Sequence, residues 1–178
     1  MKNLYCDIDS TVNNHWARIQ KWALPVFPGS SIHPNAFSRG EIMKDEPLVG
    51  ARSVLGALSS GYKIHFLSAR NFPDAHQITE EWLNKNNFKY DSINIVKSAR
   101  DKVPFLAGVD NDLLIDDLSK GQEYGGSYVD HYHDVISLLK DAGVNLVLFK
   151  GSWYRAFEPK GICSLLGGQV PEEYWNEA

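Results

Sequence analysis

Five short runs rich in apolar residues recur along the chain, and the segments between them carry apolar residues at helical spacing. The runs occupy residues 4–6, 63–68, 92–96, 112–116 and 144–149. Their length and their glycine or polar flanks are typical of buried strands. Strands that alternate with helices form a parallel sheet covered on both faces. The pattern therefore predicts an α/β fold, a Rossmann-like three-layer sandwich with a parallel sheet of about five strands.

The stretch from residue 12 to residue 48 interrupts this alternation. Trp16, Ile19 and Ala23 suit one face of a helix, and prolines and glycines then make a long irregular segment. A long insertion directly after the first strand is more often functional than accidental. We therefore expect a single domain over residues 1–178, with a small helical cap at about 12–48 that covers the strand ends. We also expect a short terminal helix around residues 171–175.

Composition and charge narrow the classes of function. The formal net charge is -4, which argues against the broad basic surface of a protein that binds duplex nucleic acid. No apolar run approaches the roughly 20 residues of a membrane span, and the first residues lack the apolar region of a signal peptide. Cys6 and Cys163 give neither a disulfide framework nor a metal-ligand spacing. We expect a cytoplasmic protein that does not bind membranes or duplex nucleic acid; its oligomeric state stays open.

Acidic residues follow two of the predicted strands. Asp7 and Asp9 come directly after the first strand, and Asp116 and Asp117 end the fourth. Parallel sheets bind ligands outside the carboxyl ends of their strands, so we expect these carboxylates to converge on one crevice. Clustered carboxylates repel one another unless a cation lies among them, and oxygen ligands favour Mg²⁺. The sequence therefore predicts a magnesium site at this edge of the sheet.

Groups that suit a phosphate follow the other strands. Ser68, Ala69 and Arg70 come at the end of the second strand, and Arg100 and Lys102 come after the third. A hydroxyl group, backbone N–H groups and cations can bind the oxygens of a phosphate that shares a Mg²⁺ ion. The chemistry that this combination predicts is phosphoryl transfer.

In their order along the chain, these residues resemble the four motifs of the haloacid dehalogenase superfamily phosphatases. The matching strings are Asp7-Ile8-Asp9-Ser10-Thr11-Val12, Ser68, Lys102 and Asp116-Asp117. The resemblance extends from residue 4 to about residue 150. Within that superfamily, the strings 100–102 and 112–117 are most similar to the 5'(3')-deoxyribonucleotidases, which also carry a small helical cap after the first motif. Ser10 departs from the pattern, because members commonly have glycine there.

The resemblance implies a role for each motif residue. Asp7 would be the nucleophile that forms an aspartyl-phosphate. Asp9 would protonate the leaving alcohol and then deprotonate the water that breaks the intermediate. Ser68 would hydrogen-bond the phosphoryl oxygens, and Lys102 would neutralise their charge, with Lys97 as the alternative lysine.

The resemblance also implies two ligand sets. Mg²⁺ would be held by the Asp7 carboxylate, the Asp9 backbone carbonyl and the carboxylates of Asp116 and Asp117. The substrate contacts would be Thr11, Ser68, Ala69, Arg70, Arg100 and Lys102. Arg100 is equally suited to pair with a nearby acidic residue and never meet substrate.

The implied activity is that of a Mg²⁺-dependent phosphomonoesterase of the 5'-nucleotidase type. Its small phosphorylated substrate would be a nucleoside monophosphate, with a deoxyribose sugar preferred. A polynucleotide 3'-phosphatase and a phosphatase of another small metabolite are alternatives. A phospho-acceptor or metal-binding regulatory domain without turnover is an alternative of another class. Asp9 argues against it, because a domain that keeps its phosphoryl group gains nothing from a general base beside it.

Histidines and tryptophans of the sequence add little to the prediction of function. His131 and His133 are two residues apart, so on a helix they would not face one metal together. His15 and Trp16 lie in the expected cap, as does Trp22. The two tryptophans suit a small core there better than a stack against a nucleobase.

Overall fold

The computed structural model describes residues 1–26, 29–120 and 131–153, and the helix expected around 171–175 lies outside them. The strands are β1 (Lys2–Cys6), β2 (Ala23–Val26), β3 (Gly29–Ile32), β4 (Tyr62–Ala69), β5 (Ser92–Val96), β6 (Leu113–Asp116) and β7 (Leu146–Leu148). The α-helices are α1 (His15–Lys21), α2 (Arg39–Ile42), α3 (Ala51–Leu58), α4 (Ala75–Lys85), α5 (Lys102–Ala107) and α6 (His133–Asp141). None of these described helices combines the length and the apolar character that crossing a lipid bilayer requires.

Five of the strands form one parallel sheet in the order β5-β4-β1-β6-β7. β1 lies in the middle, with Leu4 aligned to Ile64 of β4 on one side and to Leu113 of β6 on the other. The chain leaves β1 towards β4 and β5 first and returns to the opposite side for β6 and β7. This arrangement confirms the predicted Rossmann-like α/β fold.

Side chains of the central strands alternate between two buried layers, as the two-residue period of a strand requires. Leu4 and Cys6 of β1 pack in one cluster, and Tyr5 packs in the other. The first cluster also contains residues of α3 and α4, including Val54, Leu55, Leu58, Trp82 and Leu83. The second contains residues of α5 and α6, including Leu106, Val135 and Leu139. Helices therefore cover both faces of the sheet, and its strand ends are left to form a site.

The segment between β1 and α3 contains helices, as expected, and a pair of strands in addition. It contains α1, the antiparallel pair β2 and β3, a 3-10 helix over Pro34–Phe37, and α2. Ala23 does not continue the face of α1, because it pairs with Ile32 across the β2–β3 pair. Pro25 favours this outcome, since a proline disfavours helical backbone in the residue before it. We call residues 12–48 the cap.

Candidate active site

A cavity of about 360 Å³ opens at the carboxyl ends of β1, β4 and β6, on either side of the central strand. This is the position where open α/β sheets bind ligands. Most of the residues predicted to form the site line this cavity: Asp7, Asp9, Ser68, Ala69, Arg100, Lys102, Asp116 and Asp117. Topology alone brings these residues together, because they come from four separate parts of the chain.

Three buried carboxylates lie at the floor of this cavity. Asp7 follows β1, and Asp116 and Asp117 stand at the end of β6. One carboxylate oxygen from each lies within 4.8 Å of the other two. The N–H of Leu118 donates to Asp116 Oδ1 at 2.9 Å, which fixes that side chain. We call these three residues the aspartate cluster; they could hold a metal ion through oxygen ligands alone.

Lys102 supplies the positive charge that contacts the aspartate cluster. Its Nζ lies 2.8 Å from Asp7 Oδ1 and 2.6 Å from Asp116 Oδ2, and the residue is only 2% exposed. Burial acts to lower the pKa of Lys102, but Asp116 and Asp7 outweigh it and raise that pKa. Lys97, the alternative lysine, is exposed and lies on the cavity wall without such a contact to a described residue.

One ammonium group does not balance three carboxylates, and the pKa values of Asp7 and Asp117 are raised. Burial, together with Asp116 and Asp9, raises the pKa of Asp7 to about 7 in spite of Lys102. Burial and the neighbouring Asp7 and Asp116 raise the pKa of Asp117 well above its usual value. A divalent cation at this point would relieve the repulsion between the carboxylates, which adds to the effect of burial in both shifts.

Thr11 lies beneath the cavity and joins two members of the aspartate cluster. Its hydroxyl oxygen accepts the N–H of Asp117 at 3.2 Å and lies 3.1 Å from Asp117 Oδ1. The same hydroxyl is 3.4 Å from Asp7 Oδ2. Thr11 is fully buried, so its geometry favours positioning of the carboxylates over the expected contact with substrate.

The Asp9 carboxylate is paired with Arg70. Nε and Nη2 of Arg70 each donate to one Asp9 oxygen at 2.9 Å, and its Nη1 donates to Thr79 Oγ1 at 2.8 Å. Burial acts to raise the pKa of Asp9, but Arg70, His15 and Arg18 outweigh it and hold that pKa well below its usual range. The guanidinium of Arg70 is therefore engaged behind the cavity wall, where the expected substrate contact is not favoured.

A second ion pair, formed within the cap, extends this group of charges. Nε of Arg18 donates to the two oxygens of Asp45 at 3.0 and 3.1 Å, and its Nη2 lies 3.6 Å from Asp9 Oδ1. Asn13 bridges the two acids, because its Nδ2 is 3.0 Å from both Asp9 Oδ1 and Asp45 Oδ2. We call Asp9, Asp45, Arg18 and Arg70 the arginine cluster.

Sequence reasoning missed Arg18, Asp45 and Asn13. Arg18 and Asp45 are separated by 27 residues, so no local pattern connects them. The sequence showed only that both charged residues lie in a segment that must fold against the sheet. Asn13 carried one further hint, since it directly follows the first motif. None of these observations identifies the partner of a given charge.

Ser68 and Arg100 both line the cavity, but they differ in exposure and in their partners. Ser68 is 1% exposed, and its Oγ has no hydrogen-bond partner among the residues that the structure describes. Arg100 has a side chain that is 68% exposed and pairs with Asp134 at 3.2 Å. Ser68 is therefore a buried group available to a ligand, whereas Arg100 lies at the rim in an ion pair.

Two histidines, His131 and His133, lie next to each other where α6 begins. The His131 and His133 rings meet edge to face with centroids 6.1 Å apart, and His131 Nδ1 is hydrogen-bonded to the backbone carbonyl of Asp117 at 3.1 Å. His131 thus supports the loop that carries part of the aspartate cluster.

Comparison with known proteins supports the fold. The solved structures that are similar to this chain include chains of the Pnkp1/Rnl/Hen1 complex, with a TM-score of 0.51, and of the Pnkp1/Rnl/Hen1 RNA repair complex, with a TM-score of 0.50. Both matches are 19% identical and cover 83% of this chain, but only 45% and 42% of the matched chains. This chain therefore spans less than half the length of the chains it matches. No protein-family model and no curated protein matches the sequence.

Proposed function

We propose that the protein is a Mg²⁺-dependent phosphomonoesterase that works through an aspartyl-phosphate, as the resemblance to the haloacid dehalogenase superfamily implies. The observation that carries this proposal is the aspartate cluster with Lys102 on one side and the unpaired hydroxyl of Ser68 in the same cavity. A site of this kind offers a nucleophile, a cation site and a phosphate-binding hydroxyl within one crevice.

The residues present fit a magnesium ion. Asp7, Asp116 and Asp117 provide oxygen ligands only, are buried, and carry more negative charge than Lys102 neutralises. Mg²⁺ favours such ligands and keeps part of its shell for water and phosphate oxygens. When bound, it would polarise a phosphoryl oxygen and reduce the repulsion between substrate and carboxylates. The Asp9 carboxylate faces Arg70, so only its backbone carbonyl is left as the expected fourth ligand.

The proposed reaction gives each of these side chains the role that the resemblance implies. Asp7 attacks the phosphorus atom, forming an acyl phosphate while the bond to the alcohol oxygen breaks, and Asp9 gives that oxygen a proton. Water then attacks the phosphorus atom, Asp9 takes its proton, and Asp7 is released with inorganic phosphate. Ser68 donates a hydrogen bond to a phosphoryl oxygen, and Lys102 stabilises the charge shared by Asp7 and the phosphoryl group.

Arg70 favours the second step, the attack of water, over the first step, the departure of the alcohol. Its two hydrogen bonds to Asp9 stabilise the ionised carboxylate, which is the form that accepts a proton from water. For the first step Asp9 must carry a proton, and a proton on either oxygen displaces one of the Arg70 contacts. We infer that Asp9 turns partly away from Arg70 when the alcohol leaves.

Two substrate classes are candidates. A nucleoside monophosphate is the class implied by the resemblance of residues 100–102 and 112–117 to the deoxyribonucleotidases. A polynucleotide with a 3'-phosphate is the second candidate, favoured by the fold similarity to chains of an RNA repair complex. The net charge of -4 argues against an extended nucleic-acid surface, so we place the mononucleotide first.

The test is phosphate release from a panel of compounds, with Mg²⁺ and with EDTA. The panel contains 5'- and 3'-deoxynucleoside monophosphates, a 3'-phosphorylated oligonucleotide and p-nitrophenyl phosphate. We expect Mg²⁺-dependent release that Asp7→Asn abolishes and that Asp141→Asn, a change at an exposed aspartate of α6, leaves intact. Full activity in Asp7→Asn would refute the nucleophile, and activity on other phosphates but on no nucleotide would refute the substrate class.

A further inference from the structure

His15 is a buried histidine at the wall of the cavity for which the reaction above has no use. It is the first residue of α1, in the cap, and it is 1% exposed. Its side chain lines the same cavity as Asp7, Asp9 and Ser68. His15 therefore shares a cavity with residues that are proposed to act on substrate, although it belongs to none of the four motifs.

The two ring nitrogens of His15 have different surroundings. Nδ1 lies 3.0 Å from Ser10 Oγ, which fixes the orientation of the ring. Nε2 is buried and has no hydrogen-bond partner among the residues that the structure describes. Buried polar atoms are nearly always hydrogen-bonded, and each exception calls for an explanation such as a missing ligand. Ser68 Oγ, in the same cavity, is unpaired in the same way.

Serine is an unfavourable residue at position 10, where the backbone has a positive φ. Its φ of 66° lies in the left-handed region, which glycine adopts at no steric cost. The serine hydroxyl has one described partner, Nδ1 of His15. The backbone cost at Ser10 is thus accompanied by a contact that holds the imidazole in place.

We propose that His15 Nε2 hydrogen-bonds an oxygen of the alcohol part of the substrate and thereby helps to select a sugar phosphate, such as a nucleoside monophosphate, over simpler phosphate esters. This inference rests on the proposed phosphomonoesterase activity. The phosphoryl group has its own partners in Asp7, Lys102 and Ser68. His15 instead belongs to the cap.

The charged groups around His15 support a contact with the alcohol part of the substrate. The Asp9 carboxylate, which would protonate the leaving oxygen, acts on the imidazole, as do Arg18 and Arg70. Burial, with a smaller effect from the two arginines, lowers the pKa of His15 to about 4 against the opposite effect of Asp9. The ring is therefore neutral at pH 7, and a neutral Nε2 can donate to or accept from a sugar hydroxyl.

Two variants separate the roles of the two nitrogens. His15→Asn keeps an amide nitrogen or oxygen near the position of Nδ1 and removes the Nε2 position, whereas His15→Gln places an amide group near Nε2. We expect His15→Asn to lower kcat/KM for a nucleoside monophosphate about tenfold, with less than about twofold change for p-nitrophenyl phosphate. His15→Gln is expected to recover part of the loss. His33→Asn, at a cap histidine whose Nδ1 accepts the N–H of Asn35, is the matched control and should change neither.

The ratio of the two substrates is the readout that a merely structural role would not move. Equal losses on both substrates, or no loss on either, would overturn the His15 contact and leave the phosphatase proposal standing. Absence of turnover by the wild-type protein on every phosphate ester would instead overturn the proposed function.

A second measurement does not depend on turnover or on a substitution at His15. The imidazole ¹⁵N resonances of His15 are followed in Asp7→Asn as a 5'- or 3'-deoxynucleoside monophosphate is added with Mg²⁺. We expect the Nε2 resonance to shift with nucleotide and to stay nearly unchanged with inorganic phosphate. No shift with either nucleotide, or an equal shift with inorganic phosphate, would overturn the proposal.

Discussion

Two clusters of buried charge meet at the cavity, and they differ in balance. The arginine cluster sets two carboxylates against two guanidinium groups, and both oxygens of Asp9 and of Asp45 accept hydrogen bonds within it. Among the described residues, the aspartate cluster has Lys102 as its one contacting cation. Buried like charges are relieved by protonation or by a further cation, so the difference makes the aspartate cluster the better candidate for a metal site.

The largest expected effect comes from Asp7→Asn in the unbalanced cluster. We expect phosphatase activity to fall on the order of 10⁴-fold or more, as for removal of a covalent nucleophile. Stability in the absence of metal should not fall, because the change removes one of three mutually repelling carboxylates. Activity assays and thermal unfolding of the same preparation measure both.

Asp45→Asn is the matched change in the arginine cluster. It should lower stability more than Asp7→Asn does and lower activity less. Arg18 would lose its ionised partner, so the melting temperature should fall, while activity should fall far less than in Asp7→Asn. If both variants showed the same pattern, the distinction between the two clusters would be lost.

Removal of one cation from each cluster is expected to have the next largest effect. Lys102→Met and Arg18→Met each leave buried carboxylates without their partner, which typically costs about 3–5 kcal/mol of unfolding free energy. Mg²⁺ should restore part of the stability of Lys102→Met, because it can replace the missing charge. It should not restore the stability of Arg18→Met, because Asp45, the carboxylate that loses its partner there, is not part of the aspartate cluster. Urea unfolding with and without Mg²⁺ measures this, and equal rescue of both variants would contradict it.

The dependence of stability on pH is expected to be smaller and to have a definite sign. Asp7 has a pKa of about 7 in the folded protein, against about 3.9 when unfolded. The contribution of Asp7 protonation to the free energy of unfolding is therefore fully present below pH 4 and is lost as the pH rises through 7. Mg²⁺ in the proposed site would bind the ionised carboxylates, so its stabilisation should be greater at pH 8 than at pH 5, by about 1–3 kcal/mol at saturating metal.

Thermal unfolding across this pH range, with Mg²⁺ and with EDTA, checks the prediction. The control is Asp141→Asn, which should keep the wild-type pH profile. A Mg²⁺ effect that is independent of pH would show that the metal, if it binds, is held elsewhere.

Arg100→Gln should have the smallest effect on stability. Its ion pair with Asp134 is exposed on both sides, and such pairs contribute about 0–1 kcal/mol. Because Arg100 also lines the cavity, the KM of this variant tests the expected substrate contact separately. A higher KM at an unchanged melting temperature would support that contact, and an unchanged KM would leave only the surface pair.

The parts of the site that the sequence predicted share one property. Asp7, Ser68 and Asp116 each stand at the end of a parallel strand, so the sheet itself brings them to one edge. Lys102 depended on the order of the motifs, since it lies on α5 and not at a strand end. The structure places its Nζ between Asp7 and Asp116.

The parts that escaped prediction depend on contacts distant in sequence. The β2–β3 pair lies in a segment whose prolines and glycines suggested irregular structure. Arg70 was recognised as a charge near the cavity, but its partner is Asp9, and sequence reveals a charge without the group it faces. The same holds for Arg18, since its pairing with Asp45 follows no local period.

The bridge formed by Asn13 has a consequence for engineering. Asn13 and Arg18 belong to the cap, yet both contact the carboxylate that would transfer the proton. Exchanging residues 12–48 for the cap of another enzyme would therefore alter the reaction centre along with the substrate pocket. A transplanted cap would have to bring an amide and a guanidinium group to the same two points, or the Asp9 carboxylate would keep only its Arg70 contacts.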